Sequence, residues 1–215
     1  MARARRGFFI SVEGADGSGK STQLRRLADH LRAKGHDVVV TREPGGGGDG
    51  AEALRHLLLN GPADRWSPMA EALLMYAARA EHLDKLIRPA LAAGKTVLTD
   101  RFADSTMAYQ GAAGGLGAAR ITALHDAVVG GDDPDLTIIL DVPATVGLSR
   151  TAGREGVESR FEGKGEDYQS SARAAFLEIA RANPGRCRVI DAAGDEESVA
   201  RAVAKAADAA LQSRL

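Results

Sequence analysis

Gly14-Ala15-Asp16-Gly17-Ser18-Gly19-Lys20-Ser21 lies between a short apolar run, Phe8 to Val12, and a stretch from Thr22 to Lys34 that places Leu24, Leu27, Ala28 and Leu31 at helical spacing. The spacing of its glycines, lysine and serine is the pattern of a phosphate-binding loop. That chemistry needs these residue types. Glycines let the backbone curl until successive N–H groups point at phosphate oxygens. Lys20 brings a compact positive charge to the β- and γ-phosphates of a nucleoside triphosphate, and the Ser21 hydroxyl is a ligand for Mg²⁺. A helix opening near Lys20 adds the positive end of its dipole. Gly14, Ala15, Asp16, Gly17, Ser18, Gly19, Lys20, Ser21 and Thr22 are therefore the candidate ATP-binding residues. Lys20 is also a candidate catalytic residue and Ser21 the metal ligand, so ATP and Mg²⁺ are the expected cofactors. The bland alternative is a glycine-rich turn arising by chance. The strand before the motif and the helix after it are the context that argues against chance.

Outward from the loop, short β-branched runs alternate with longer helical stretches, the sign of an α/β fold with a parallel sheet. Strands are expected at residues 8–13, 37–41, 95–99, 136–141 and 187–191. Leu136-Thr137-Ile138-Ile139-Leu140 is almost wholly apolar, as a strand covered on both faces requires. Helices are expected over 22–34, 52–60, 68–91, 117–129, 144–151, 168–182 and 197–211. The long one should bend at Arg88-Pro89, because proline disfavours a helical conformation at the residue before it. Residues 153–167 carry many charges and few apolar side chains, and read as a surface loop or a mobile lid of about 150–167.

The 215 residues are 44% apolar and 27% charged, which suits a single globular domain, 1–215. Twenty-eight Lys and Arg against 29 Asp and Glu give a net charge of −1, without the basic excess that nucleic-acid binding usually shows. A local pocket for a small anion remains open. Cys187 is the one cysteine, so no disulfide forms within the chain, as suits a reducing compartment. The apolar run after the basic N-terminus is too short for a secretory signal, and no stretch is long enough to span a bilayer. No membrane partner is expected, and the expected location is the cytoplasm.

Asp100-Arg101-Phe102 ends the third strand, and in open α/β sheets ligands bind beyond the carboxyl ends of strands. Asp100 and Arg101 should then face the phosphate site, with the planar fork of Arg101 suited to a phosphate group. Standing alone, the segment reads equally as a strand-terminal ion pair.

It does not stand alone. Thr41-Arg42-Glu43-Pro44-Gly45-Gly46, Leu54-Arg55-His56-Leu57-Leu58 and Tyr76-Ala77-Ala78-Arg79-Ala80-Glu81-His82 resemble thymidylate kinase motifs. So do Asp100-Arg101-Phe102-Ala103-Asp104-Ser105-Thr106-Met107-Ala108-Tyr109-Gln110-Gly111, Leu140-Asp141-Val142-Pro143 and Arg160-Phe161-Glu162. Their order and approximate spacing hold from about residue 7 to residue 191. The resemblance implies the P-loop kinase fold, a homodimer, and transfer of the γ-phosphate of ATP to dTMP. It also implies site roles. Asp16 would meet the acceptor's 3′-hydroxyl and the metal region, and Arg42 and Glu43 would frame the acceptor. Arg101 would clamp its 5′-phosphate as a catalytic residue. Arg79 would bond the thymine carbonyl, and Thr106 would read the base edge. Tyr109 would crowd the sugar 2′ position, with Gln110 on the same wall; the bland reading of Tyr109 is a half-buried helix aromatic.

Some positions depart from the family pattern. Gly47 replaces a threonine, within the run Gly45–Gly48, and a looser loop is expected there. Met75 stands where a phenylalanine often stacks on thymine, and a thioether also packs on a ring. Ser159 replaces the aspartate that often precedes Arg-Phe-Glu. The phosphate-binding loop lacks the arginine that some members carry between Asp16 and Lys20. The remaining positive charge is then expected from Arg150, Arg154 or Arg160 acting as arginine fingers in cis, with Arg154 and Arg160 named as catalytic. At least one of the three is expected to be an ordinary surface arginine.

Two other functions fit parts of the pattern. A deoxynucleoside kinase would phosphorylate a 5′-hydroxyl and need a general base, for which Glu43 is available. A nucleotide-dependent switch without transferase activity would leave the arginines and Tyr109 unexplained, and the chain has no guanine-reading Asn-Lys-x-Asp segment.

Overall fold

The computed structural model describes residues 6–151 and 164–213. Its chain order is β1 (Phe9–Glu13), α1 (Lys20–Ala33), β2 (Val38–Arg42), α2 (Asp49–Leu59), α3 (Pro68–His82), a π-helical turn (Leu83–Ile87), α4 (Arg88–Ala92) and β3 (Thr96–Asp100). There follow α5 (Ala103–Thr106), a second π-helical stretch (Met107–Ala113), α6 (Ala118–Val128), β4 (Leu136–Asp141), α7 (Ala144–Thr151), α8 (Glu166–Ala182), β5 (Cys187–Asp191) and α9 (Glu196–Gln212). The strands form a five-stranded sheet in the order β2-β3-β1-β4-β5, every neighbouring pair parallel.

Alternation along β1 splits the core between the two faces of the sheet. Ile10 and Val12 pack with Leu24, Leu27 and Leu31 of α1 and Val199 and Val203 of α9. Phe9 packs on the other face with Tyr76, Leu83, Ile87 and Phe102. A third cluster joins Tyr109, Ile139, Phe176 and Cys187. Cys187 is buried in β5, and burial pushes its thiol up to about 11, as suits an inert core residue. The chain leaves β1 for β2 on one side and reaches β4 on the other, so the crevice at the strand ends opens beside β1.

The expected bend at Arg88-Pro89 takes another form. Arg88 stays helical, at φ −57 and ψ −48, and the chain passes Pro89 through the wider turn Leu83–Ile87. Proline lacks the N–H that an α-helical turn would use, and a π-helical turn absorbs that mismatch without leaving the helical region. None of the expected helices covers the segment from Ala103 to Ala113, although the bland reading of Tyr109 places that residue on a helix. Ala108, Tyr109, Gln110 and Gly111 are buried in succession, so the segment shows no apolar stripe to mark it as a helix.

Candidate active site

The loop between β1 and α1 depends on close backbone packing. Gly17 has φ +76, and a Cβ there would lie 2.1 Å from the Gly147 carbonyl oxygen of α7. Only glycine meets both demands. Lys20 Nζ folds back over the loop, donating to the carbonyls of Gly14 at 3.2 Å and Ala15 at 2.9 Å. Burial and the nearby Arg101 charge hold its ammonium down to about 8. Ser21 Oγ donates to Asp100 Oδ2 at 2.6 Å, which brings the expected metal ligand beside a strand-end carboxylate.

Arg101 follows β3 at φ 71, the non-glycine residue among those described that occupies the left-handed region. Its N–H donates to the Val12 carbonyl, and its own carbonyl accepts from Thr99 Oγ1. The guanidinium pairs with Asp16, and its Nη1 donates to the Gly14 carbonyl at 3.1 Å and to Ser105 Oγ at 3.0 Å. Burial opposes the Arg101 charge, but Tyr109, Asp16, Asp100 and Glu13 outweigh it and push its pKa up. Burial likewise opposes the Asp16 carboxylate. Arg101, Lys20 and the Gln169 hydrogen bond of 2.9 Å overcome that and hold it below the usual range.

A cleft of about 660 Å³ runs over these groups. Asp16, Gly17, Ser18, Gly19, Lys20, Ser21 and Thr22 line one part of it, while Gly14 and Ala15 contribute the carbonyls beneath Lys20. Arg42, Glu43, Arg79, Arg101, Thr106, Tyr109 and Gln110 line another part, with Met75 among them.

The deepest feature of that second wall is a closed polar network. Arg79 Nε donates to Glu43 Oε2 at 2.9 Å, and its Nη2 donates to Thr106 Oγ1 at 3.0 Å. His82 Nδ1 lies 3.0 Å from Glu43 Oε1, and its Nε2 lies 2.8 Å from Thr41 Oγ1. Arg79 and His82 are three residues apart on α3 and so share a face. Tyr76 and Phe102 present their rings to the Arg79 guanidinium at 4.6 and 5.2 Å. Arg79 Nη1 is buried without a protein partner, a donor left for a ligand carbonyl. Gln110 Nε2 donates to Glu71 Oε1 at 2.8 Å, which fixes the amide on the same wall. Arg42 is half exposed and pairs with Glu52.

Three expectations change. Gly45 to Gly47 are closely packed while Gly48 is open: a Cβ on Gly47 would meet the His82 backbone nitrogen at 2.5 Å, so a threonine there would not fit. Glu43 has both oxygens engaged by Arg79 and His82, which leaves no free oxygen to serve as a general base. Arg150 lines the same cleft but donates to the carbonyls of Ala192 and Ala193, so its guanidinium is tied to the backbone that follows β5. Arg154, Ser159, Arg160 and most of the lid expected over 150–167 lie outside the described residues.

The sequence reading passed over Glu13, Gln169, His82 as a site residue, and Gln23 and Ala192, which line the cleft together with the expected Arg150. Glu13 did carry a signal: it is the one charged residue of a strand that is otherwise uncharged, next to the phosphate-binding loop. Burial and the Asp104 charge push its carboxyl up to about 8.

A family model described as thymidylate kinase matches residues 12–203. The thymidylate kinase of Caulobacter vibrioides is 60% identical over 197 residues, covering 92% of this chain and 94% of that protein. That of Dinoroseobacter shibae is 54% identical over 194 residues, covering 90% and 93%. The crystal structure of thymidylate kinase from Ehrlichia chaffeensis superposes with a TM-score of 0.76 at 36% identity, covering 94% of this chain and 99% of that one.

Proposed function

The chain belongs to the thymidylate kinase family, and from that premise we propose how its own residues divide the transfer of a γ-phosphoryl group from ATP–Mg²⁺ to dTMP, giving dTDP and ADP. The fold is accordingly the P-loop kinase fold. One observation carries the division of roles: Lys20 Nζ and Arg101 Nη1 both donate to the Gly14 carbonyl oxygen. A cation from the nucleotide loop and a cation from the acceptor side thus converge on one atom. Negative charge set between them relieves their mutual repulsion and satisfies both.

The residues present suit the cofactors. Among those described there is no cluster of three His, Cys, Asp or Glu side chains, as expected for a metal that takes most of its ligands from nucleotide phosphates and water. Ser21 and Asp100 would hold it, and Mg²⁺ would supply positive charge to the triphosphate. Lys20 carries the remainder of that charge with the loop N–H groups. Arg101 holds the acceptor's 5′-phosphate, with Arg42 at the rim. That phosphate is already ionised near neutral pH, its second pKa being about 6, so no general base is required. Asp16 orients the acceptor's sugar, held in turn by Arg101 and Gln169. Arg79 offers Nη1 to the thymine carbonyl, with Thr106, Gln110 and Met75 around the base and Tyr109 closing the 2′ side. Glu43 positions Arg79 and has no hydrogen-transfer role.

Arg154 and Arg160 are assigned the charge at the transferring group, in a lid between α7 and α8. The described ends of that segment support the reading. Gly147 of α7 abuts Gly17, and Lys164 lies 3.4 Å from Glu71, so the two ends flank the cleft. One domain over 1–215, a homodimer and a cytoplasmic location complete the proposal. The exposed Leu57, Met69 and Leu73 on α2 and α3 support a dimer face. Among the described residues no helix is long and apolar enough to cross a membrane.

The test is an acceptor panel with ATP–Mg²⁺: dTMP, dUMP, UMP, dCMP, AMP and thymidine. Fast turnover of dTMP and none of thymidine is expected. Turnover of thymidine as fast as dTMP would overturn the assignment of Arg101 as a phosphate clamp.

A further inference from the structure

Glu13 ends β1 and is completely enclosed. Strand alternation turns it to the same face as Phe9, toward α5 and the turn that precedes it. Its Oε1 accepts from the Phe102 N–H at 2.7 Å, and its Oε2 accepts from Ser105 Oγ at 2.6 Å. Ser105 Oγ in turn accepts from Arg101 Nη1. One carboxyl therefore reaches Arg101 from two directions, through the backbone of the next residue and through its side chain.

We propose that Glu13 is the positioning residue of Arg101, fixing both the left-handed turn and the guanidinium of the arginine that holds the acceptor's 5′-phosphate. This rests on the reading of Arg101 given above. A non-glycine residue persists at positive φ only where its surroundings over-determine it. Here Val12, Thr99 and Glu13 supply that determination, and of these only Glu13 also governs the side chain. A hydrogen-bond chain that begins in a central strand is rigid in a way that a surface loop is not. The phosphate would otherwise have to order Arg101 on binding, which weakens affinity. The charges facing Glu13 are Asp104, Arg101 and, from α1, Lys20.

A merely structural role would weaken every ligand or none. Calorimetric titration of the full chain with dTMP, with thymidine and with ADP separates the cases. Arg101→Ala is expected to weaken dTMP on the order of a hundredfold with thymidine little changed. If dTMP binding survives that change, the phosphate-clamp reading falls and the role of Glu13 falls with it. Glu13→Ala is expected to weaken dTMP by roughly tenfold, with thymidine and ADP within about twofold. The double variant should bind dTMP no more weakly than Arg101→Ala, since both act through one side chain. Glu13→Asp keeps the carboxyl group but is one methylene short of bridging Phe102 and Ser105. It carries the test should Glu13→Ala not fold, with a loss of roughly threefold confined to dTMP. Equal losses for dTMP and thymidine, or no loss for dTMP in a folded Glu13 variant, overturn the proposal.

Discussion

The nucleotide loop and the acceptor wall meet at Arg101, yet they are built on opposite terms. The loop is one run of consecutive residues, 14–22, working largely through backbone N–H groups and a lysine held by the loop's own carbonyls. The wall gathers Glu43, Arg79, His82 and Thr106 from three parts of the chain and works through side chains closed off from water. A backbone device depends on glycine geometry and on one charge. A buried side-chain network depends on every member, because each unpaired partner carries its full desolvation cost. The loop should therefore lose function without losing stability, and the wall should lose both.

Arg79→Ala is the strongest way to break that contrast. It leaves Glu43 buried beside His82 without its guanidinium, and should cost roughly 3–5 kcal/mol in urea unfolding along with dTMP affinity. A stable protein that still bound dTMP would refute the picture of a closed network. Lys20→Ala should lower kcat by roughly 10²–10³-fold with an unchanged unfolding midpoint, and near-normal turnover would end the assignment of the loop.

The third prediction concerns Glu13, at the join of the two regions. Its carboxyl is pushed from 4.5 up to about 8, by burial first and Asp104 second. Between those values the folded chain keeps a proton that the unfolded chain releases. Its contribution to stability thus falls as pH rises through that window, by about 1.4 kcal/mol per unit, and levels off above it. Unfolding at pH 6 and pH 7.5 measures the slope, and Glu13→Gln should flatten it. The smallest effect is expected at Tyr109, where the ring acts by crowding. Tyr109→Ala should narrow the preference for dTMP over its ribose counterpart by about tenfold in kcat/KM. An unchanged ratio would leave Tyr109 as a core aromatic packed on Phe176.

Much of this was legible before any coordinates. Each strand lies within one residue of its expected bounds, because a covered parallel strand is an uninterrupted apolar run. The phosphate-binding loop is legible for a related reason: its function follows from local backbone geometry. Arg42, Arg79, Thr106, Tyr109 and Gln110 were named through family resemblance and Arg101 also through its place at a strand end, and the structure brings them to one cleft. Spacing alone would not have gathered them. His82 was within reach, since it follows Arg79 by three residues on a helix. The helical stretch 103–113 was not, because Ala108 to Gly111 are buried in succession and leave no apolar stripe to mark a helix.

By itself, then, the sequence determined the parallel α/β plan and the nucleotide loop, since strand pattern and glycine curvature are properties of neighbouring residues. Tertiary structure alone decided how the charges are shared. Arg150 goes to the Ala192 and Ala193 carbonyls, and Glu43 is committed to Arg79 and His82. Glu13 holds the turn that carries Arg101. The physical reason is that a charge's role is set by its burial and by its partners, and those partners come from distant parts of the chain that only folding brings within hydrogen-bonding distance.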